Sequence, residues 1–206
     1  MDPAVKLAFP HPRPGELAPP AAEPMAALDF DRVYEAHVRF VWRTLRRLGV
    51  RDDDCDDAVQ DVFLIVHRRL GDFRPEAPVK HWLFRLAAGI ARDHRRARRR
   101  KDPRQHGLIP VKANDEIADV RNEGPQEAAE RAAAARLIRA MLHELDEDRR
   151  EVFILADLEQ MTAPEIAQVL EIPLNTVYSR LRRARGDFEE ALMRYQERQT
   201  TGERHE

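Results

Sequence analysis

The 206 residues suffice for one medium domain or two small ones, and 35% of them are charged while only 6% are aromatic. A core must then be assembled from Leu, Val, Ile and Ala, which favours small helical units over a large sheet protein. The formal net charge of -2 rules out inferring nucleic-acid binding from the total, so any such inference must rest on how charge is segregated along the chain.

Residues 1–27, MDPAVKLAFPHPRPGELAPPAAEPMAA, are rich in Pro and Ala and have no hydrophobic period. Proline removes amide donors and resists helix, so this stretch reads as a disordered extension. It lacks the apolar core of a signal peptide. No segment of the chain reaches the roughly 18 apolar residues that span a bilayer. A cytoplasmic protein without direct membrane binding is expected.

Residues 28–101 read as a first helical domain. Val33, Tyr34, Val38, Val41, Trp42, Leu45 and Leu48 recur at three- and four-residue steps until Gly49 stops the run. A second helix follows RDDDCDD, with Val59, Val62, Phe63, Val66 and Leu70 on its inner face. Its outward positions include Asp57, Gln60, Asp61 and Leu64, an acidic face holding one apolar residue. Such a face repels DNA but suits a basic protein surface. The single cysteine, Cys55, excludes a disulfide framework and a multi-cysteine zinc site. After the proline-punctuated loop DFRPEAPV, a third helix starts near Val79. On it Leu83, Leu86, Ala87, Ile90 and Ala97 share one face, and Trp82, Arg85, Gly89, Arg92 and Arg96 a neighbouring one. From Arg92 to Arg104 there are eight Lys or Arg residues against two acids. An aromatic followed by cations suits both base stacking and phosphate neutralisation.

Residues 102–126 lack a sustained period and read as a linker, with Pro125 placed for a first helical turn. Residues 127–195 read as a second helical domain, and 196–206 as a disordered tail. Within the second domain, Thr162 and Glu165 form a capping box ahead of Ile166, Ala167 and Leu170, and EIP turns the chain. In the next helix Val177, Leu181, Ala184 and Phe188 make the inward stripe. Asn175, Ser179, Arg182 and Arg183 lie opposite it, flanked by Tyr178 and Arg180, with Thr176 in the first turn. Asn, Ser and Arg on the second helix of a helix-turn-helix match the inventory that reads a major groove. No acid follows the four arginines until Asp187, so the pairing of a merely solubilising helix is missing.

DAVQDVFLIVHRRL, DFRPEAPVKHWLFRLAAGIARDHRRARRR and LDEDRREVFILADLEQMTAPEIAQVLEIPLNTVYSRLRRAR together resemble the extracytoplasmic-function (ECF) group of bacterial sigma factors. These are alternative subunits that direct RNA polymerase to promoters. The resemblance implies an all-α fold of two small domains, sigma regions 2 and 4, on a flexible linker. It also implies no catalysis and no cofactor or metal. By position, Asp57, Gln60, Asp61 and Leu64 are implied to contact the clamp of the largest core polymerase subunit. Phe73, Lys80, Trp82, Arg85, Arg92 and Arg96 are implied to meet the -10 element. Asn175, Thr176, Tyr178, Ser179, Arg180, Arg182 and Arg183 are implied to meet the -35 element. The flap of the second-largest subunit and a membrane-associated anti-sigma factor complete the implied partners.

The chain departs from the family pattern at Gly89, where Asn is frequent, and at Pro75, Ala77, Pro78 and Val79 of the loop that selects the extruded base. Glu171 and Asn175 replace frequent glycines, and Tyr178 stands where a cation is common. Two other readings compete. One is a helix-turn-helix regulator acting on duplex DNA without polymerase. The other, weaker, is a metal-dependent nuclease using Asp52, Asp53, Asp54, Asp56 and Asp57.

Overall fold

The computed structural model describes residues 29–73, 78–101 and 124–202, which are helical throughout apart from short turns. The expectations for residues 1–27 and most of the linker lie outside these residues, as do Pro75 and Ala77.

The first unit holds α1 (Phe30–Arg47), α2 (Asp52–Arg69) and α3 (Val79–Lys101), with a single 3-10 turn at Leu70–Asp72 closing α2. α1 buries Val33, Phe40, Val41, Leu45 and, at its end, Leu48. Phe40 replaces Tyr34 on the expected stripe. Positions 33, 40, 41 and 45 hold one helical face, whereas Tyr34 sits a step round it and stays 42% exposed. Gly49 adopts φ +95°, a conformation that β-carbon residues resist, and reverses the chain between α1 and α2. α2 opens on Asp52, Asp53 and Asp54 and ends on His67, Arg68 and Arg69, so its charges oppose the helix dipole favourably at both ends. Its inner face is Val59, Val62, Phe63 and Val66, as expected. On α3 the buried set is Leu83, Phe84, Ala87, Ala88 and Ala91. Leu86 and Ile90 are only half-buried, and Ala97 is exposed. The stripe is therefore rotated from the expected one, because α3 packs against both α1 and α2 and Phe84 rather than Leu86 fills the space between them.

The second unit holds α4 (Pro125–Glu144), α5 (Glu147–Phe153) with a following π-turn (Ile154–Leu158), α6 (Ala163–Leu170) and α7 (Leu174–Gly202). Pro125 opens α4 as expected. α5 begins at Glu147 because the Asp146 carboxylate accepts a hydrogen bond from the Arg149 amide at 2.9 Å, an N-cap. Its core is Leu142, Leu145, Val152, Phe153, Ile154 and Leu155 against Ile166, Val177, Ala184 and Phe188. Phe153 and Phe188 stack with centroids 4.7 Å apart. α7 spans 29 residues and passes the expected fraying point at Gln196, since its last turns hold helix-favouring Gln, Glu and Arg and no proline.

The two units pack together, α3 against α6 and α1 against α4.

Candidate nucleic-acid and polymerase interfaces

The helix-turn-helix is built as its sequence dictates. The Glu165 carboxylate accepts hydrogen bonds from the Thr162 amide at 2.8 Å and hydroxyl at 2.7 Å, fixing the start of α6. Glu171 ends that helix at φ 54°, ψ 43°, the left-handed conformation in which a frequent family glycine would be unstrained. Val177, Ala184 and Phe188 anchor α7 inward, with Leu181 half-buried beside them. This leaves Asn175, Tyr178, Ser179, Arg182 and Arg183 on the exposed face, Tyr178 at 55%. The Ser179 hydroxyl donates to the Thr176 carbonyl at 3.0 Å, and Thr176 is half-buried.

Sequence neighbours gave the four arginines no acids, but the fold supplies two. Arg180 pairs with Asp148 of α5, and Arg185 pairs with Asp157 at 2.8 Å. Among the described residues, Arg182 and Arg183 have no such partner. They are cations at the start of α7 that a polyanion can take without first displacing a carboxylate.

On α3, Trp82 is half-buried with its ring 5.1 Å from Phe73, so it serves in part as packing. Lys80 lies 5.7 Å over the Phe40 ring, and Arg96 is exposed. The other two expected -10 cations face the second unit. Arg85 pairs with Glu171 at 2.6 Å. Arg92 pairs with Glu147 at 2.7 Å and Glu151 at 3.0 Å. Arg95, within the basic run but outside the expected set, pairs with Glu147 at 2.6 Å. The Glu147 hydrogen bond raises the Arg92 pKa. Burial by itself would raise the Glu147 carboxyl, yet Arg92 and Arg95 hold it below its ordinary value. At Glu151 burial prevails over Arg92, and its pKa is raised. The sequence offered no signal for this arrangement, because the acids belong to α5 and to the turn after α6, remote in the chain.

The acidic face of α2 is part of a groove. Asp57 and Gln60 are exposed and Leu64 is 47% exposed, but Asp61 lies 3.1 Å from the His94 ring of α3. Beside them Phe30, Tyr34, Trp42, Phe63, Leu64 and His67 line an apolar trough with Asp56 and Gln60 at its rim. Tyr34 and Phe63 meet edge-to-face at 4.8 Å. Two of the five carboxylates of the nuclease reading are held in ion pairs. Asp52 pairs with Arg46, and Asp54 pairs with Arg98 at 2.6 Å. Among the described residues no group of three His, Cys, Asp or Glu side chains could hold a metal ion.

A helical unit with a cationic helix, followed by a helix-turn-helix with its second helix exposed, defines a two-part DNA-binding protein. Its closer class follows from comparison with known proteins. The Sigma-70 region 2 family matches residues 33–101, and the Sigma-70 region 4 family matches residues 135–187. The RNA polymerase sigma factor NccH of Alcaligenes xylosoxydans xylosoxydans is 34% identical over 160 residues, covering 76% of this chain and 82% of that protein. The ECF RNA polymerase sigma factor SigM of Mycobacterium tuberculosis is 31% identical over 156 residues, covering 76% and 73%. The solved structure of CnrH in complex with the cytosolic domain of CnrY superposes with a TM-score of 0.53 at 27% identity, covering 79% of this chain and 86% of that one. The chain belongs to the sigma-70 family, in its ECF group, and is an RNA polymerase sigma factor. None of these matches supports a regulator that acts without polymerase. Among the described residues no helix is long and apolar enough to cross a membrane.

Proposed function

We propose a division of labour within this sigma factor. The first domain, residues 28–101, docks on the clamp of core polymerase through Asp57, Gln60, Asp61 and Leu64 of α2, of which Gln60 and Leu64 also line the α1–α2 trough. Its α3 face, with Phe73, Lys80, Trp82, Arg85, Arg92 and Arg96, receives the -10 element. The second domain, residues 127–195, lays α7 in the major groove of the -35 element. There Arg182 and Arg183 meet base edges or phosphates, and Asn175, Thr176, Tyr178, Ser179 and Arg180 surround them. The protein works in the cytoplasm with core polymerase and has no catalysis of its own. An anti-sigma factor holds it inactive until a signal releases it, by analogy with CnrH, solved with the cytosolic domain of CnrY.

The observation that supports this best is the exposed arginine pair of α7, with the acids of α5 engaging Arg180 but not Arg182 or Arg183. Run-off transcription with purified core enzyme on a genomic fragment library tests it. New start sites sharing two spaced upstream motifs are expected. Arg183→Ala should reduce use of those promoters about 5- to 100-fold, the worth of one lost arginine contact to a base. Its binding to core enzyme should be unchanged. Equal loss of both would refute the division of labour.

A further inference from the structure

Phe30, Tyr34, Val38 and Trp42 follow at four-residue steps along α1 and form one wall of the apolar trough. At 1.5 Å per residue that wall is about 18 Å long. Phe63 and Leu64 of α2 face it, and the trough holds about 720 Å³. Tyr34 and Leu64, 42% and 47% exposed, leave two large apolar side chains open to water within it. The ends differ in charge. At one end the Cys55 thiol lies 3.9 Å from the Trp42 carbonyl, and the carboxylate of Asp56 stands beside them on the trough lining, with Asp53 and Asp57 exposed nearby on α2. At the other end the His67 ring meets Phe30 at 5.1 Å. Arg39 lies on the α1 wall between the two ends.

We propose that this trough is a groove for a proline-rich extended strand, and that its occupant is the chain's own segment VKLAFPHPRP, residues 5–14. Aromatic-lined grooves take such strands because proline presets the extended backbone and its ring packs flat on aromatic faces. The segment carries Pro10, Pro12 and Pro14 at every second position, with Leu7 and Phe9 before them. From Phe9 to Pro14 a polyproline helix runs about 19 Å at ~3.1 Å per residue, the length of the α1 wall. Arg13 supplies the cation that the Asp56 end attracts.

The tether favours this occupant over a free peptide. Phe30 is both the first residue of α1 and part of the trough lining, so residues 1–28 are joined to the chain at the mouth of the groove. The residues between Arg13 and Phe30 extend to at most about 50 Å, enough for Arg13 to reach the far, Asp56 end. A tether of this length makes the effective concentration of the segment about millimolar. An intrinsic Kd of about 0.1 mM then leaves it docked about nine-tenths of the time. Gln60 and Leu64 belong both to the trough and to the proposed clamp face, so segment and clamp compete for them. The docking stands without the clamp reading; only the competition rests on it.

The test uses the full chain. Phe9 is replaced by the photo-crosslinking amino acid benzoylphenylalanine, and the products of irradiation are mapped by mass spectrometry. Cross-links within one chain to Tyr34, Phe63 or Leu64 are expected. Arg13→Glu, a change outside the helical units, should lower their yield several-fold, and so should Tyr34→Ala. Cross-links between two chains would put a second copy in the trough and overturn the proposal, as would cross-links to other parts of the chain or none at all. Affinity for core polymerase separates the docking from the clamp reading. Phe9→Ala/Arg13→Glu should bind core enzyme about tenfold more tightly, because apparent affinity rises with the fraction of open trough. Trough cross-links with an unchanged affinity for core enzyme would uphold the docking and refute the assignment of Gln60 and Leu64 to the clamp.

Discussion

Arg150 is 7% exposed, and its guanidinium donates to four carbonyl oxygens. Nε reaches Leu142 at 2.7 Å, and Nη2 reaches Leu145 at 2.7 Å and His143 at 3.3 Å. These are carbonyls at the end of α4, where the helix supplies no donors of its own. The fourth bond, from Nη1 to Leu48 at 3.1 Å, crosses to the first unit. Burial, then the nearby Arg95, lowers the Arg150 pKa to about 10, which still leaves it charged at neutral pH. Replacing it with alanine removes every one of these donors at once and opens a hole between α4 and α5. Bonds from a charged donor contribute about 1.5–3 kcal/mol each, but they share one group and do not add. A net loss of about 3–5 kcal/mol is expected, the range for breaking a buried charged network. Arg150→Lys should lose nearly as much, since an ammonium group cannot reproduce the planar fork. Urea denaturation followed by circular dichroism measures it, with stability extrapolated to water. A loss below about 1 kcal/mol for Arg150→Ala would place Arg150 among surface arginines in energetic terms and refute the reasoning.

Other expectations follow from single positions. Glu171→Gly should raise stability by about 0.5–1 kcal/mol, because relief of left-handed strain exceeds the loss of an exposed ion pair; a lower melting temperature would contradict it. Gly89 has no non-neighbouring atom within 4 Å of where a β-carbon would stand, so Gly89→Ala should stabilise α3 by about 1 kcal/mol in the same assay. His143 has its pKa lowered to about 4 by burial and by Arg150, Arg46, Arg95 and Arg139. The folded protein thus holds it neutral while the unfolded chain, with a pKa near 6.5, takes up the proton first. Stability present above pH 6.5 is therefore lost as pH falls towards 4, by about 2 kcal/mol at pH 5. His143→Gln should flatten that part of the urea profile; an unchanged slope would assign it to other groups, although the raised Glu151 carboxyl pulls the other way.

Much of this was legible in local chemistry. The Thr162–Glu165 box, the Gly49 stop and the inward run Val177, Ala184, Phe188 all follow from periodicity and capping, which depend on residues a few positions apart. The rotation of the α3 stripe did not, because Phe84 is chosen over Leu86 by two neighbouring helices rather than by spacing. The candidate -35 face was readable as an outward projection, but the acids that neutralise Arg180 and Arg185 come from α5 and the turn after it. The pairing of Arg92 with Glu147 and Glu151 is the extreme case, since it joins residues on opposite sides of the linker.

Gly49 joins two constraints that are usually separate. A β-carbon there would stand 3.0 Å from the Arg150 guanidinium and 3.1 Å from the His143 ring, both in the second unit. The hydrogen that glycine presents is at once the licence for the α1–α2 reversal and the floor of a socket for another domain's arginine. A change at this site strains a tight turn and wedges a distant docking together. The chain is thus tied, through one missing methyl group, so that the local geometry of its first helical hairpin and the long-range fit of its two halves must vary as a single character.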